Sequence, residues 1–224
     1  MRTIIVGDVH GCRVELEALL DRVAFASGDR LVFVGDLVAR GPDSLGVLDV
    51  VRRTGAVVVR GNHEQKILDA RAGSCALSKI HRDVAHALRP VDWSLLEASR
   101  LWVDLPEHDV RVIHAGVDPR VAFAEQSPRS LLAIRTVDDA LWGERYDGPP
   151  HVVFGHNAPV GIQIHRWATG LDSGCVYGGA LTAMVLAPKQ KVPRGQDARW
   201  RVLVSERARR MWYVPKKKAS RGAT

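Results

Sequence analysis

The sequence predicts an α/β fold, because short apolar runs alternate with helical segments in the first half of the chain. Three β-branched runs, within residues 3–8, 30–36 and 56–62, are separated by two segments of helical periodicity. Runs that are apolar throughout indicate strands covered on both faces. The second half contains more strand-like runs, so we expect a sandwich of two sheets with helices outside.

The elements follow in order along the chain. "TIIVGD" predicts the first strand, Arg13 to Val23 an amphipathic helix and "RLVFVGD" the second strand. Ser44 to Arg53 predicts a helix with Ser44 as its N-cap, "AVVVRGN" predicts the third strand, and residues 63–99 predict a helical stretch. The later strand-like runs are "VRVIHAG", "HVVFGH", "GIQIH", "LTAMVL", "RWRVLVS" and "MWYVP".

Length and composition indicate one domain. A chain of 224 residues, 46% of them hydrophobic, can bury one sizeable core, and we expect this domain to span residues 1–213. No apolar run approaches the length of a membrane span, and "MRTIIVGDVHG" becomes polar too soon for a signal peptide. Cys12, Cys75 and Cys175 form no disulfide framework and are not spaced as zinc ligands. We therefore expect a cytoplasmic protein with reduced thiols and no membrane partner.

The net charge of +7 is unevenly distributed. Residues 187–224 contain 12 Lys and Arg against 2 acids, so the rest of the chain is near −3. The last residues, 214–224, predict a basic, flexible, solvated tail. The alternative interpretation is attraction to nucleic acid or another polyanion. We do not expect a nucleic-acid partner, because the tail lacks regularly spaced aromatic residues that could stack on bases.

Five apolar runs end in the same kind of residue, an acid, an amide or a histidine. These residues are Asp8, His10, Asp36, Asn62, His63, His114 and His156. In an α/β sheet, ligands bind at the carboxyl ends of the strands, so we expect these side chains at one rim. Oxygen and imidazole donors without thiolate suit manganese, iron, zinc or cobalt. Because the set exceeds one tetrahedral site, two divalent ions are expected.

The motifs at these strand ends resemble a known family. "GDVHG", "GDLVARG", "GNHE", "HAG" and "FGH" occur in the order found in calcineurin-like metallophosphoesterases, and the similarity extends from Gly7 to about Leu186. More narrowly, they resemble the branch that holds bacterial Ser/Thr protein phosphatases and symmetrical diadenosine tetraphosphatases. The resemblance implies an αββα four-layer sandwich of two mixed β-sheets flanked by helices, with a dinuclear metal centre.

The resemblance also implies a role for each residue. The ion ligands would be Asp8 and His10 for the first ion, Asp36 bridging both, and Asn62, His114 and His156 for the second. His63 would protonate the leaving group, while Arg40, and less directly Arg135, would bind phosphate oxygens. Manganese is the first expectation, with iron, zinc or cobalt as alternatives. A hydroxide bridging the ions would attack phosphorus in line.

Ala39 bears on the substrate. The protein phosphatases of this branch resemble "GDLVDRG", where an aspartate in place of Ala39 pairs with the histidine that matches His63 and raises its pKa. A phosphoanhydride has a better leaving group than a phosphoserine and needs less help from an acid. "VARG" and "GLDSGCVYGGALTAMVL" both resemble the diadenosine tetraphosphatases. The predicted reaction is therefore the cleavage of diadenosine tetraphosphate into two ADP.

Several alternatives stay open. His114 to His156 spans only 42 residues, shorter than in enterobacterial-type diadenosine tetraphosphatases, so the adenosine-binding segments could be reduced. Trp142 and Tyr146 either stack on a base or pack at a loop. The same centre would suit a Ser/Thr protein phosphatase, with a phosphorylated protein as substrate, or a broad phosphomonoesterase or pyrophosphatase. A third hypothesis is a polyanion- or RNA-binding module with a vestigial metal site.

Overall fold

The computed structural model describes residues 1–215, and residues 216–224, most of the expected basic tail, lie outside the described residues. Its strands are β1 (Thr3–Val6), β2 (Arg30–Phe33), β3 (Val57–Val58), β4 (Trp102–Leu105), β5 (Val110–Ile113), β6 (Thr136–Val137), β7 (Ala140–Leu141), β8 (His151–Phe154), β9 (Gln163–Ile164), β10 (Ala168–Gly170), β11 (Ala180–Leu186) and β12 (Leu203–Arg207). Its α-helices are α1 (Arg13–Arg22), α2 (Ser44–Thr54), α3 (Asn62–Arg71), α4 (Lys79–Ala87), α5 (Pro90–Ala98), α6 (Pro128–Ala133), α7 (Trp142–Arg145) and α8 (Gln196–Trp200). Each of these helices is too short or too polar to cross a membrane.

Ten of these strands build two mixed sheets. The first sheet has the order β12-β11-β1-β2-β3, in which β1, β2 and β3 are parallel and β11 is antiparallel to both of its neighbours. The second has the order β4-β5-β8-β10-β9, with β5, β8 and β10 parallel and antiparallel strands at both edges. Both sheets thus have a parallel centre, the arrangement that places several carboxyl ends side by side.

Three apolar clusters fill the spaces between four layers. Side chains of β1 alternate: Ile4 and Val6 pack with the helices of one outer layer, while Ile5 packs against the second sheet. On the far face of the second sheet, Phe154 packs with Trp142 and Leu131 of the other helical layer. Helix, sheet, sheet and helix therefore stack in order, and the expected αββα sandwich is confirmed.

Some predicted details are wrong. "MWYVP" is not a strand: the backbone N–H groups of Trp212 and Tyr213 both donate to the carbonyl of Val176, so this segment is fastened to a turn and not to a sheet. The N-cap of α2 is Asp43, whose carboxylate accepts from the Gly46 N–H at 2.8 Å. The predicted 63–99 stretch is helical, as three separate helices, α3, α4 and α5.

Candidate active site and metal centre

The carboxyl ends of both parallel centres bring the predicted residues together. Asp8 and Asp36 lie within three residues of the ends of β1 and β2, in the first sheet. His114 and His156 lie within two residues of the ends of β5 and β8, in the second sheet. Asn62 opens α3, directly after β3 and its short extension. The candidate site is therefore built by both sheets at one rim.

Two glycines permit this close packing. A Cβ atom at Gly155 would overlap the Oδ1 atom of Asp8, and one at Gly61 would overlap the backbone nitrogen and Oδ1 of Asp36. Only a residue without a side chain lets the backbone approach these carboxylates so closely. The glycines that precede His156 and Asn62 are therefore part of the architecture of the site.

Asp36 lies between two groups of candidate ligands. Its Oδ2 atom is 3.4 Å from Nε2 of His10 and 3.9 Å from Nε2 of His63, whereas its Oδ1 atom is 3.5 Å from Nε2 of His114. The donor atoms of His10, Asp36 and His63 lie within 4.8 Å of one another, and so do those of Asp36, His114 and His156. One carboxylate thus faces two clusters, which is the arrangement of a bridging ligand.

The second cluster also contains the Asn62 side chain. Its Oδ1 atom is 2.9 Å from Nδ1 of His156 and 3.0 Å from Nε2 of His114. Those two imidazole nitrogens are themselves 3.2 Å apart. Three donor atoms therefore converge on one point beside Asp36.

Backbone carbonyls orient two of the imidazole rings. Nδ1 of His114 lies 3.0 Å from the carbonyl of Val34, and Nδ1 of His10 lies 3.3 Å from the carbonyl of Val38. When Nδ1–H donates to a carbonyl, the Nε2 lone pair is left to face the site, as a metal requires. Burial lowers the pKa of His10 and of His114 to about 4, so both rings are neutral at neutral pH.

The centre contains several buried acids whose negative charges lie close together. Both carboxylate oxygens of Asp8 accept from the His156 N–H, and burial, followed by the charges of Asp172 and Asp36, raises the pKa of Asp8 well above its usual range. Burial also raises the pKa of Asp172 to about 6. Acids that repel one another in a buried site are stabilised by a cation, and the donor set is oxygen and neutral imidazole. The residues present therefore fit divalent metal ions.

Glu64 holds the loop that contains Asp36. Its carboxylate accepts four backbone N–H groups, from Asp36, Leu37, Val38 and Gly61, at 2.8–3.2 Å. The side chain is fully buried. Glu64 thus ties the start of α3 to the loop after β2, a supporting role that the sequence alone did not define.

His63 faces the site with one nitrogen and a second histidine with the other. Its Nε2 atom is the one near Asp36, while its Nδ1 atom is 3.1 Å from Nε2 of His81 in α4. Burial, and then the neighbouring His10 and Arg40, holds the pKa of His63 far below its usual range. His81 was not among the predicted site residues.

Arg40 and Arg135 reach the same cavity, which has a volume of about 610 Å³. Arg40 donates to Nε2 of His10 at 2.7 Å, and its guanidinium lies 5.6 Å from the ring centre of Tyr177 and 6.0 Å from that of Tyr213. Arg135 is exposed at the rim, where its Nη2 atom is 3.4 Å from the carbonyl of His156. Both arginines are placed to meet an anion entering the cavity.

Sequence reasoning missed three further residues around this cavity. Asp172 and Tyr177 line it, and both stand in "GLDSGCVYGG", a stretch in which the acid and the aromatic ring were the available signals. Tyr213 belongs to the segment that was predicted as a strand. Trp142, by contrast, does not stack on a base: it is 2% exposed, and its Nε1–H donates to the carbonyl of Ala115. Tyr146 packs against Trp142, with the two ring centres 5.9 Å apart.

The family model described as calcineurin-like phosphoesterase matches residues 1–188, most of the chain. The chain belongs to the calcineurin-like phosphoesterases. The resemblance inferred from the five strand-end motifs is therefore confirmed, and this phosphoesterase is a hydrolase of a family that uses divalent metal ions.

Relatives of this phosphoesterase have been given three different activities. It is 35% identical to the symmetrical bis(5'-nucleosyl)-tetraphosphatase of Pectobacterium carotovorum, over 86% of this chain and 73% of the relative. It is 27% identical to an asymmetrical bis(5'-nucleosyl)-tetraphosphatase of Oceanobacillus iheyensis, over 86% and 91% of the two chains. It is 33% identical to serine/threonine-protein phosphatase 1 of Salmonella typhimurium, over 80% and 88%.

A solved structure is similar over nearly the whole phosphoesterase. The crystal structure of a protein that has been proposed to be a diadenosine tetraphosphatase superimposes with a TM-score of 0.80 at 36% identity. The match covers 92% of this chain and 93% of the other. The two chains are thus of similar extent as well as similar fold.

Proposed function

We propose that this phosphoesterase is a dinuclear-metal-dependent phosphoanhydride hydrolase that cleaves diadenosine tetraphosphate symmetrically into two ADP. The observation that carries the dinuclear part is the position of Asp36, whose two oxygens face separate clusters of donors. The substrate is supported by relatives named symmetrical bis(5'-nucleosyl)-tetraphosphatase at 30–39% identity.

The proposed ligand sets follow the two clusters. Asp8 and His10 would hold one ion, Asp36 both, and Asn62, His114 and His156 the other. Manganese is proposed first, with iron, zinc or cobalt as alternatives, because carboxylate and amide oxygens suit manganese and the imidazoles suit iron and zinc. When bound, the ions would supply Lewis acidity that activates water and offsets phosphate charge.

The residues of the chain do the remaining work. Arg40, which lies beside the rings of Tyr177 and Tyr213, would bind the oxygens of the phosphate under attack, and Arg135 at the rim would bind the rest of the polyphosphate. His63 would donate a proton from Nε2 to the oxygen of the leaving nucleotide, because that nitrogen faces the metal ligands. The negative charge of a bound polyphosphate would favour the protonated ring and so oppose the burial that lowers the pKa of His63 in the free protein. No covalent intermediate is needed, because water would be the nucleophile.

A second candidate is a Ser/Thr protein phosphatase, favoured by the relative from Salmonella typhimurium. Broad phosphomonoesterase or pyrophosphatase activity would use the same groups. The binding-module hypothesis is the weakest, because the chain belongs to a family of hydrolases and the residues at all five strand ends meet at one rim. A cytoplasmic location stays a prediction.

The test is a product analysis with manganese-loaded protein. Diadenosine tetraphosphate and a phosphoserine peptide are offered in parallel, the nucleotides are separated by chromatography, and Asp36→Asn is the inactive control. ADP as the sole nucleotide product, with slow peptide turnover, supports the proposal. ATP plus AMP would mean asymmetrical cleavage. Fast peptide turnover with an intact dinucleotide would identify a protein phosphatase.

A further inference from the structure

His81 makes a hydrogen-bonded link between His63 and the surface. Its Nε2 atom lies 3.1 Å from Nδ1 of His63, and the two ring centres are 4.7 Å apart. Its Nδ1 atom lies 2.8 Å from the hydroxyl of Ser78, which is exposed. His81 itself is only 5% exposed. Both nitrogens of this buried ring are therefore satisfied, one on each side.

The use of Ser78 is unusual for its position. Ser78 is the N-cap residue of α4, where a serine hydroxyl ordinarily accepts from a backbone N–H of the first turn. Here the hydroxyl makes no such bond and contacts the imidazole of His81 instead. The residue at the start of α4 thus uses its hydroxyl to orient the His81 side chain and not to cap the helix.

We propose that His81 is a positioning residue that fixes the ring of His63 with Nε2 directed at the leaving-group oxygen. This inference rests on the proposed function, in which His63 is the proton donor. His81 occupies Nδ1 of His63. In the protein phosphatases that the chain resembles, the partner of the matching histidine is instead a carboxylate at the position of Ala39. The sequence predicted no partner for His63 at the position of Ala39. In the structure, His81 of another helix contacts it.

The proton inventory of this arrangement is balanced. In protonated His63, Nδ1–H donates to Nε2 of His81, and Nδ1–H of His81 donates to the hydroxyl oxygen of Ser78. When Nε2 of His63 gives its proton to the departing oxygen, the phosphorus–oxygen bond breaks and the new O–H bond forms there. His63 is left neutral with its proton on Nδ1, and neither bond to His81 nor bond to Ser78 has to change.

A neutral partner differs from a carboxylate in one respect. It orients the ring but adds no negative charge that would favour the protonated form. The pair is therefore suited to leaving groups that need only modest protonation, such as a nucleotide phosphate, and less suited to a serine alkoxide. His81 would thus favour substrates with good leaving groups by acting through His63.

The test uses aryl phosphates whose phenols span a range of leaving-group acidity. In His81→Leu, kcat for the poorest leaving group should fall by about 10- to 100-fold, because general acid catalysis is worth about 10²–10⁴. Hydrolysis of p-nitrophenyl phosphate should change little, and KM should stay the same. His81→Gln, whose amide oxygen can accept from Nδ1–H, should recover part of the loss. His86→Leu, an exposed position on the same helix, is the matched control.

A uniform loss for all leaving groups, or no loss for any, would overturn the proposal. A second measurement does not depend on turnover: ring ¹⁵N chemical shifts of His63 in zinc-loaded protein should indicate one tautomer in the parent and His86→Leu chains, and averaged tautomers in His81→Leu. Identical shifts in all three would also overturn it. If the protein hydrolyses aryl phosphates but not the dinucleotide, the proposed substrate is wrong. The comparison of the His81 variants would still decide whether His81 positions His63.

Discussion

Ala39 is a small residue in a strained loop. Its φ of +69° is left-handed, as are those of Asp36 at +50° and Arg40 at +70°. Such backbone costs on the order of 1 kcal/mol or more at each non-glycine residue and persists where its surroundings enforce it. The Ala39 N–H donates to the hydroxyl of Ser44, and Glu64 holds the residues before it. The loop therefore places Asp36 and Arg40 at the expense of local stability.

Replacing Ala39 with Asp tests its influence on substrate choice. A carboxylate at this position should favour protonated His63 and so help poor leaving groups. We expect kcat/KM for a phosphoserine peptide to rise about tenfold relative to that for diadenosine tetraphosphate, within the range of acid catalysis. Ala39→Ser, similar in size to alanine and uncharged, is the control. If neither ratio moves, the leaving-group argument is wrong.

Glu64→Gln tests whether metal binding depends on the hydrogen bonds that hold the loop around Asp36. The amide keeps one accepting oxygen but replaces the other with an NH₂ group, which faces backbone donors and leaves them unpaired. We expect affinity for manganese to fall about 10- to 100-fold, as found for partners of metal ligands. Calorimetric metal titration measures it. Glu97→Gln makes the same chemical change at a surface ion pair with Arg71 and should bind manganese normally.

Residues at this scale were predictable to different degrees. Asp8, Asp36 and His114 could be found because each follows an apolar run that had to be a strand. His81 could not, since its contact with His63 depends on how α4 packs against α3, and an isolated histidine in a helix carries no such information. Asp172 was visible in "LDSG" but resembled an ordinary turn.

Among the elements, the segment Met211–Pro215 has an unexpected position. Glu15 in α1 accepts from the indole N–H of Trp212 at 2.9 Å and from the backbone N–H of Arg209 at 3.1 Å. Met211 and Pro215 line the cavity, so the segment forms part of the substrate wall. Its apolar and aromatic letters predicted a strand, but its hydrogen bonds go to a turn and a helix side chain. Local pattern does not reveal such partners.

Tyr213→Ala should loosen Arg40. A cation–π contact of this kind is worth about 0.5–1 kcal/mol, so we expect KM for diadenosine tetraphosphate to rise about two- to fivefold. kcat should change less than KM. Steady-state kinetics measure both, and Trp200→Ala, an exposed aromatic on α8, is the comparison. An unchanged KM would show that Tyr177 alone positions Arg40.

The contact between β8 and α8 predicts a pH dependence of stability. Burial, and then the charge of Arg199, lowers the pKa of His151 from 6.5 to about 3. Between these values the unfolded chain binds a proton that the folded chain does not, so stability is full above pH 6.5 and falls as the pH drops. The slope is up to about 1.4 kcal/mol per pH unit. Denaturant unfolding at pH 7 and pH 5 should show a smaller difference for His151→Gln than for the parent chain.

At the scale of the whole molecule, the candidate centre joins both sheets. Its proposed ligands come from β1 and β2 on one side and from β5 and β8 on the other. Ligands that bind only the folded state stabilise it, by about 4 kcal/mol at a thousand times the dissociation constant. Chelation should therefore lower the melting temperature measured by calorimetry, and manganese should restore it. Asp36→Asn should respond weakly to either treatment.

The four-layer architecture was predictable because most strands of the two parallel centres are largely apolar and are followed by a polar site residue. The strand order was not. β11 pairs with β1, the first strand, and β12 extends the sheet beyond β11; these pairings are set by long-range packing that no local run encodes. Short β9 and β10 were likewise hard to place, since two or three residues give little periodicity.

Because the chain returns to the first sheet so late, catalytic activity reports when folding is complete. Every proposed metal ligand precedes residue 157, yet the sheet that carries Asp8 and Asp36 is complete only when residues 180–207 have paired. A polypeptide emerging from the ribosome would hold the full set of ligands long before it held the scaffold that aligns them. After dilution from denaturant, product should therefore appear only after β11 and β12 have paired with the rest of the sheet.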